Sequence, residues 1–487
     1  MTYFNISALR EAHDTPGLTH GSDALRKVEN LRVPVCSKPY LCGEVLDEEF
    51  ETTSLLSVPW QNNATFPGAF SQPFNVIVHS IKEISQEGEV HKPKFEIQLA
   101  FDENEPSVKH FEAGDSFYVI CANTDVDVEF LLARLDLTSK ADLKYQVECM
   151  DGAKKSMPEY IPKLSSIRYI LAYCLDIRRA PSRPVIRALS EYCENPDEQR
   201  RMLELCSIDG TKEFSQHVQM SSISLIDFLI HFESCRPPVE RLIEILPRLL
   251  PRAYTVSSWD IFKENRLRFI VSLLRTNAGN GVVFSRYGLC SGYLKSRLNT
   301  DTIKLIAKEP SKFRFPLVAK PEHTLANTSV VMIGPGTGIA PFLAFLERFR
   351  ELQTSNAEGD QSSDESTVKL SWIRNSFAKK NLKHCVMRKV LTNLVICESR
   401  PKEESELKHP KYVYDALKQQ PNEFWDFLFS EPQPFIYACG DVKQMSKQLW
   451  ECFTNELVKR KGITKPEAVE LLKRLRTEEY FIEDVWS

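Results

Sequence analysis

The residues of this chain most suited to chemistry are glycines. Gly334-Pro335-Gly336-Thr337-Gly338-Ile339-Ala340-Pro341 directly follows the apolar run Ser329 to Ile333 and opens a helical stretch, Phe342 to Arg350. Glycines let backbone approach a pyrophosphate, and a helix N-terminus attracts its charge. Such a loop can also be a structural turn. Cys439-Gly440-Asp441 ends a second apolar run, Phe435 to Cys439. Ligands of open α/β sheets bind beyond the carboxyl ends of the strands, so both turns would face one crevice. Taken alone, Cys439 reads more simply as a buried thiol. Ser399 and Arg400 follow a third run, Leu394 to Cys397. A hydroxyl with a guanidinium can hold a phosphate monoester, such as that on the ribose of NADP. Lys411 and Tyr414 would add a cation and an adenine contact; the alternative is a solvated surface pair.

Earlier in the chain, Arg252-Ala253-Tyr254-Thr255 sets a cation, an aromatic ring and a hydroxyl along one strand. Alternation puts Arg252 and Tyr254 on one face and Thr255 on the other. Gly288-Leu289-Cys290-Ser291 begins a helix-like stretch, where small residues favour an anion. Singly, each of these motifs is more often structural. The chain closes on Tyr480-Phe481-Ile482-Glu483-Asp484-Val485-Trp486-Ser487. Chain ends usually fray and tolerate small polar residues. This one either lies against something flat or forms a last strand whose Trp486 packs on the core.

The elements that must position these residues fall into three parts. Residues 1–70, interrupted by Pro34, Pro39, Pro59 and Pro67, read as a linker or hinge-like arm. Residues 71–320 carry strands, with period-two alternation at Phe95 to Phe101 and a second strand at Ser116 to Cys121 after a Gly114-Asp115 turn. Inside this part, an insert at about 145–250 is helical: Leu225, Phe228, Leu229 and Phe232 share one helical face. Residues 321–487 alternate strand and helix, the pattern of a doubly wound parallel sheet. Thr354 to Ser366 reads as a surface loop.

At 487 residues, 42% hydrophobic and 26% charged, the composition is that of a soluble globular protein. A net charge of −4 argues against nucleic acid as a partner. No apolar run approaches the roughly 20 residues of a membrane span. Thirteen scattered cysteines without a Cys-x-x-Cys pair suit reduced thiols in the cytoplasm, and ten histidines show no metal-ligand spacing.

In order along the chain, Arg-x-Tyr-Thr, Gly-x-Cys-Ser, Gly-Pro-Gly-Thr-Gly-Ile-Ala-Pro, Ser-Arg, Lys-Tyr-Val, Cys-Gly-Asp and the terminal Asp-x-Trp-Ser resemble the FAD/NADPH half of the diflavin reductases. Leu203 to Cys206 and Ser234 to Pro238 are similar to the methionine synthase reductase branch. The resemblance covers about residues 74–487. It implies a ferredoxin-reductase-type FAD-binding β-barrel with a helical insertion, followed by the NADP-binding sheet. FAD would be held by Arg252, Ala253, Tyr254, Thr255, Gly288, Leu289, Cys290 and Ser291, with Trp486 stacked on the ring. NADPH would be held by Gly334, Pro335, Gly336, Thr337, Ser399, Arg400, Lys411, Tyr412, Tyr414, Gly440 and Asp441. The catalytic group would be Thr255, Cys439, Asp484 and Trp486.

The resemblance further implies hydride transfer from NADPH to FAD and onward release of single electrons. The acceptor would be methionine synthase or a separate FMN-bearing protein. FMN itself is not expected here, since nothing in residues 1–70 resembles an FMN phosphate loop. Three departures bear on the NADPH side. Ser371-Trp372-Ile373-Arg374 stands where the family has Phe-Gly-Cys-Arg, Gln448 replaces an acid, and Tyr414 replaces a Gln. They keep open a catalytically weak FAD-binding chaperone. A reductase half for another heme or FMN acceptor is a separate alternative, since acceptor choice does not lie in these residues.

Overall fold

A computed structural model describes residues 15–50, 60–85, 92–320, 323, 328–357, 373–374, 395, 397, 410, 412–441 and 445–486. Strands run β1 Leu41–Glu49, β2 Phe74–Glu83, β3 Lys94–Ala100, β4 Ser116–Val119, β5 Leu143–Cys149, β6 Leu164–Ser166, β7 Arg252–Thr255, β8 Arg266–Ser272, β9 Arg275–Thr276, β10 Arg286–Tyr287, β11 Thr302–Ala307, β12 Val330–Pro335, β13 Ile373–Arg374, β14 Phe435–Asp441 and β15 Phe481–Trp486. The longer helices are α1 Asp125–Arg134, α2 Arg183–Leu189, α3 Pro196–Cys206, α4 Leu225–His231, α5 Val239–Ile245, α6 Leu289–Lys295, α7 Ala340–Ala357, α8 Val413–Lys418, α9 Asn422–Leu428, α10 Lys447–Lys461 and α11 Lys465–Thr477. The chain divides into two units: Met1–Pro67 with Cys121–Pro251 and Leu274–Tyr293, and Gly68–Ile120 with Arg252–Leu273 and Leu294–Ser487.

The first unit is mainly helical, and α4 is its centre. Every residue from Leu225 to His231 is buried. A Ser224/Asp227 capping box starts this helix by satisfying its first amides. The insert also contains β5 and β6, which pair antiparallel. The stretch read as a hinge-like arm is more structured than its prolines suggest. β1 pairs antiparallel with β5 from Leu41↔Cys149 to Glu49↔Leu143. Leu18 and Leu41 belong to the same buried core as α4. Period-two alternation is missing there because Leu41 is the strand's one buried residue.

The second unit holds two sheets. The first is antiparallel, in the order β7-β4-β11-β2-β3-β8. Its edge strands are tied by a single bridge, Val256↔Phe269, beside the bond from the Ser257 N–H to the Arg268 carbonyl at 2.7 Å. The second sheet is parallel, in the order β13-β12-β14-β15. Its strands β12 and β14 are buried on both faces, and the alternation is visible residue by residue. Val330, Met332, Phe435 and Tyr437 pack with α7, whereas Val331, Ile333, Ile436 and Ala438 pack with α8 to α11. The helix expected over Phe342 to Arg350 extends through Ala357, into the stretch read as loop. The strand expected at Leu394 to Cys397 lies largely outside the described residues.

Candidate active site

The glycine-rich turn is built as its residues require. β12 ends at Pro335, Gly336–Ile339 makes one 3-10 turn, and α7 begins at Ala340. Gly336 has φ +62°, and a Cβ there would meet nothing within 4 Å. Left-handed backbone is what glycine permits, so this position is conformational and its surroundings are open. Gly338 is different: a Cβ would lie 2.0 Å from the Cys439 carbonyl oxygen. That contact fixes the turn against β14. A half-buried backbone turn feeding an 18-residue helix fits a pyrophosphate.

Cys439 and Asp484 are register partners on the parallel strands β14 and β15, followed by Gly440↔Val485 and Asp441↔Trp486. Gly440 approaches the turn, since a Cβ there would lie 3.0 Å from Pro335 Cγ. The Cys439 thiol is buried and pushed well above its ordinary pKa by that burial, and further by the charge of Asp484. Asp484 is half-buried. Desolvation raises its pKa, while Lys308 and then the Thr255 hydroxyl pull it down. Thr255 ends β7 opposite Ser116 of β4, and their hydroxyls lie 3.0 Å apart. Thr255, Cys439 and Asp484 therefore form one neighbourhood, which also holds Ser116 and Lys308. A carboxyl whose charge is disfavoured, beside a cation and a hydroxyl, can store or release a proton.

The remaining flavin candidates divide between the units. In the second, Arg252, Ala253 and Tyr254 pair with Val119, Tyr118 and Phe117. In the first, Gly288 precedes α6, and a Cβ on it would meet Leu274 Cβ and Ser291 Oγ at 2.9 Å. Ser291 accepts from the Leu274 N–H at 3.2 Å, and Leu289, Cys290 and Ser291 are buried. A backbone cradle that admits no Cβ at Gly288 fits close approach to a phosphate.

The family that matches residues 68–293 is described as FAD binding domain. Methionine synthase reductase of Caenorhabditis elegans is 34% identical over 487 residues, covering 98% of this chain and 69% of that protein. The chain belongs to the methionine synthase reductase family. The rat methionine synthase reductase is 31% identical over 88% of this chain and 63% of its own length. For the human one the figures are 30%, 77% and 56%. NADPH–cytochrome P450 reductase of Drosophila melanogaster is 26% identical over 79% of this chain. Family membership and the matched domain make the chain an FAD-dependent oxidoreductase of ferredoxin-reductase-like fold.

Several family positions lie outside the described residues: Ser399, Arg400, Lys411 and the departing Trp372. Trp486 and Asp441 are described through their strand pairing alone. Tyr412 is exposed, and the Tyr414 ring carries the Lys418 ammonium 4.0 Å from its centroid.

Other residues escaped the sequence reading. Two buried carboxylates of the first unit anchor the segment leading to Gly288. Asp227 accepts from the Val283 N–H and Arg286 Nη1, each at 3.0 Å, and from Ser224. Asp127 accepts from Arg178 Nε at 2.6 Å, and Arg178 Nη1 donates to the Tyr287 carbonyl at 2.8 Å. The one signal for Asp227 in the sequence was Ser224-x-x-Asp227, a capping-box pattern. Lys308 and Ser116 had none. Among the described residues, no helix is long and apolar enough to cross a membrane and no His/Cys/Asp/Glu cluster has metal-binding geometry.

Proposed function

We propose that this chain is the FAD- and NADPH-binding part of a methionine synthase reductase system, working in the cytoplasm. It would pass electrons to methionine synthase or to an FMN-bearing protein. FAD binding occupies residues 71–320 around the insert at about 145–250, and NADP binding occupies 321–487. The observation that carries the reading is the convergence of Thr255, Cys439 and Asp484 at the end of a parallel sheet whose first turn is Gly334 to Thr337.

The cofactors supply the redox chemistry: FAD accepts a hydride from NADPH and releases electrons singly. The chain's own residues bind, orient and steady charge. For the flavin, Arg252 of the second unit and the Gly288 to Ser291 backbone of the first are each assigned to its pyrophosphate, and Tyr254 and Thr255 to its ring. Gly334 to Thr337 hold the nucleotide pyrophosphate, with Gly440, Asp441 and Tyr412 beside it. Ser399, Arg400, Lys411 and Tyr414 hold its adenosine phosphate end. Asp484 keeps or releases a proton at its carboxyl, and Lys308 steadies the ionised form. Cys439, kept neutral by burial, offers an uncharged wall. Trp486 covers the flavin until nicotinamide enters.

The test is ferricyanide reduction by the FAD-loaded chain, with NADPH and with NADH. Turnover preferring NADPH, and losing that preference in Arg400→Ala, is the expected result. A yellow protein inert to both nucleotides would end the reductase reading and leave the FAD-binding chaperone.

A further inference from the structure

The first unit contains a pair of cysteines that the flavin chemistry does not use. Cys193 follows α2, and Cys235 follows α4. The two residues face each other across an isolated antiparallel bridge, Cys193↔Cys235. The Arg236 N–H donates to the Tyr192 carbonyl at 3.0 Å, so the backbone bond flanks the pair. That is the non-hydrogen-bonded kind of position, where Cα atoms stand about 4.5 Å apart and side chains are closest. Disulfides span Cα separations of roughly 4.4–6.8 Å.

We propose that Cys193 and Cys235 form a reversible internal disulfide, making this bridge a thiol-oxidation site.

Access and reactivity divide between the partners. Cys193 is half-buried and Cys235 fully buried, so an oxidant meets Cys193 first. Each thiol is the largest influence on the other. Cys235 Sγ donates to the Leu189 carbonyl at 3.4 Å, and Cys193 Sγ lies 3.4 Å from Met202 Sδ. The neighbouring Cys235 thiol holds Cys193 below its ordinary pKa, while Cys235 is raised well above its own. Cys193 is thus the better nucleophile and Cys235 the resolving thiol. With oxidised glutathione as the oxidant, the Cys193 thiolate attacks one sulfur. A Cys193–glutathione disulfide forms, and the first glutathione thiolate leaves. Cys235 then gives up its proton and attacks Cys193 Sγ, releasing the second glutathione. The protein loses two hydrogens, and the small disulfide is reduced to two thiols.

More exposed thiols lack this geometry. Cys42 and Cys149 are both exposed, but their register is Leu41↔Cys149 and Cys42↔Glu148. An offset of one residue puts their side chains on opposite faces of the sheet.

The full chain is titrated with oxidised glutathione, its free thiols are alkylated, and its peptides are mapped by mass. The expected product is a peptide linking Cys193 to Cys235, with the loss of two hydrogens, reversed by dithiothreitol. Cys42 and Cys149 should carry glutathione or the alkylating label. In Cys235→Ser, the glutathione adduct on Cys193 should persist, because nothing resolves it. A wild-type chain in which Cys193 keeps its glutathione, or links to a different cysteine, would overturn the proposal. So would a Cys235→Ser variant that clears the adduct as fast as the wild type.

Discussion

Asp227 and Asp484 are two enclosed carboxylates placed in contrasting surroundings. Asp227 is fully buried and is met by Ser224, the Val283 N–H and both terminal nitrogens of Arg286. Asp484 is half-buried, and the groups that favour its charge, Lys308 and the Thr255 hydroxyl, do not offset its desolvation. Its neighbour Glu483 sharpens the contrast on the same strand. Glu483 accepts from the Ser446 hydroxyl at 2.6 Å and from Trp450 Nε1 at 3.1 Å, tying β15 to the helix that follows β14. A fully partnered buried charge holds structure; an under-partnered one is available for chemistry.

The largest effect should come from breaking the structural side of this contrast. Asp227→Ala leaves the Arg286 guanidinium, 9% exposed, without its buried partner. Urea unfolding should show a loss of about 3–5 kcal/mol, with FAD released early because the Gly288 loop loses its anchor. A loss under about 1 kcal/mol would mean that Asp227 is not the anchor described.

Next in size is the pair of glycines in the NADP turn. Gly338→Ala would drive a Cβ into the Cys439 carbonyl, so both stability and NADPH affinity should fall. Gly336→Ala meets open space and should cost only the left-handed backbone, about 1–2 kcal/mol. Equal destabilisation of the two variants would refute the distinction between packing and conformation.

The third test concerns pH. The folded pKa of Asp484 is raised, so the folded state binds more protons than the unfolded one between the ordinary carboxylate range and that raised value. Stability therefore falls as pH rises through this window. Asp484→Asn removes the effect. The variant should gain on the wild type as pH climbs through the window, and the gap should then level off. Parallel denaturation curves across pH would contradict the assignment. The last test is Trp486→Ala, which should alter nicotinamide affinity and the choice between NADPH and NADH, not merely stability; an unchanged cofactor preference would contradict its role over the flavin.

What the sequence disclosed follows from how local each feature is. The NADP turn was legible because its glycines, its strand and its helix are contiguous, and β14 was legible as an apolar run. The Thr255–Asp484 neighbourhood was reached by resemblance, since those residues lie far apart in the chain. Lys308 and Ser116 were missed because their roles arise from pairing between strands, with no local spacing to betray it. β1 was missed for a related reason: an acidic strand with one buried residue owes its existence to β5, and Lys144 pairs with its Glu48. The insert was read as helical from the spacing of Leu225, Phe228, Leu229 and Phe232; α4 carries the first three and ends just before Phe232, whereas β5 and β6 inside the insert went unseen.

The most direct test of the central claim is anaerobic reduction of the FAD-loaded chain by NADPH, followed by flavin absorbance, in wild type and in Asp484→Asn. The wild type should bleach. The variant should retain its FAD and its stability but bleach more slowly, on the order of a hundredfold. A variant that bleaches at the wild-type rate would contradict the account, and so would a wild-type flavin that stays oxidised under NADPH.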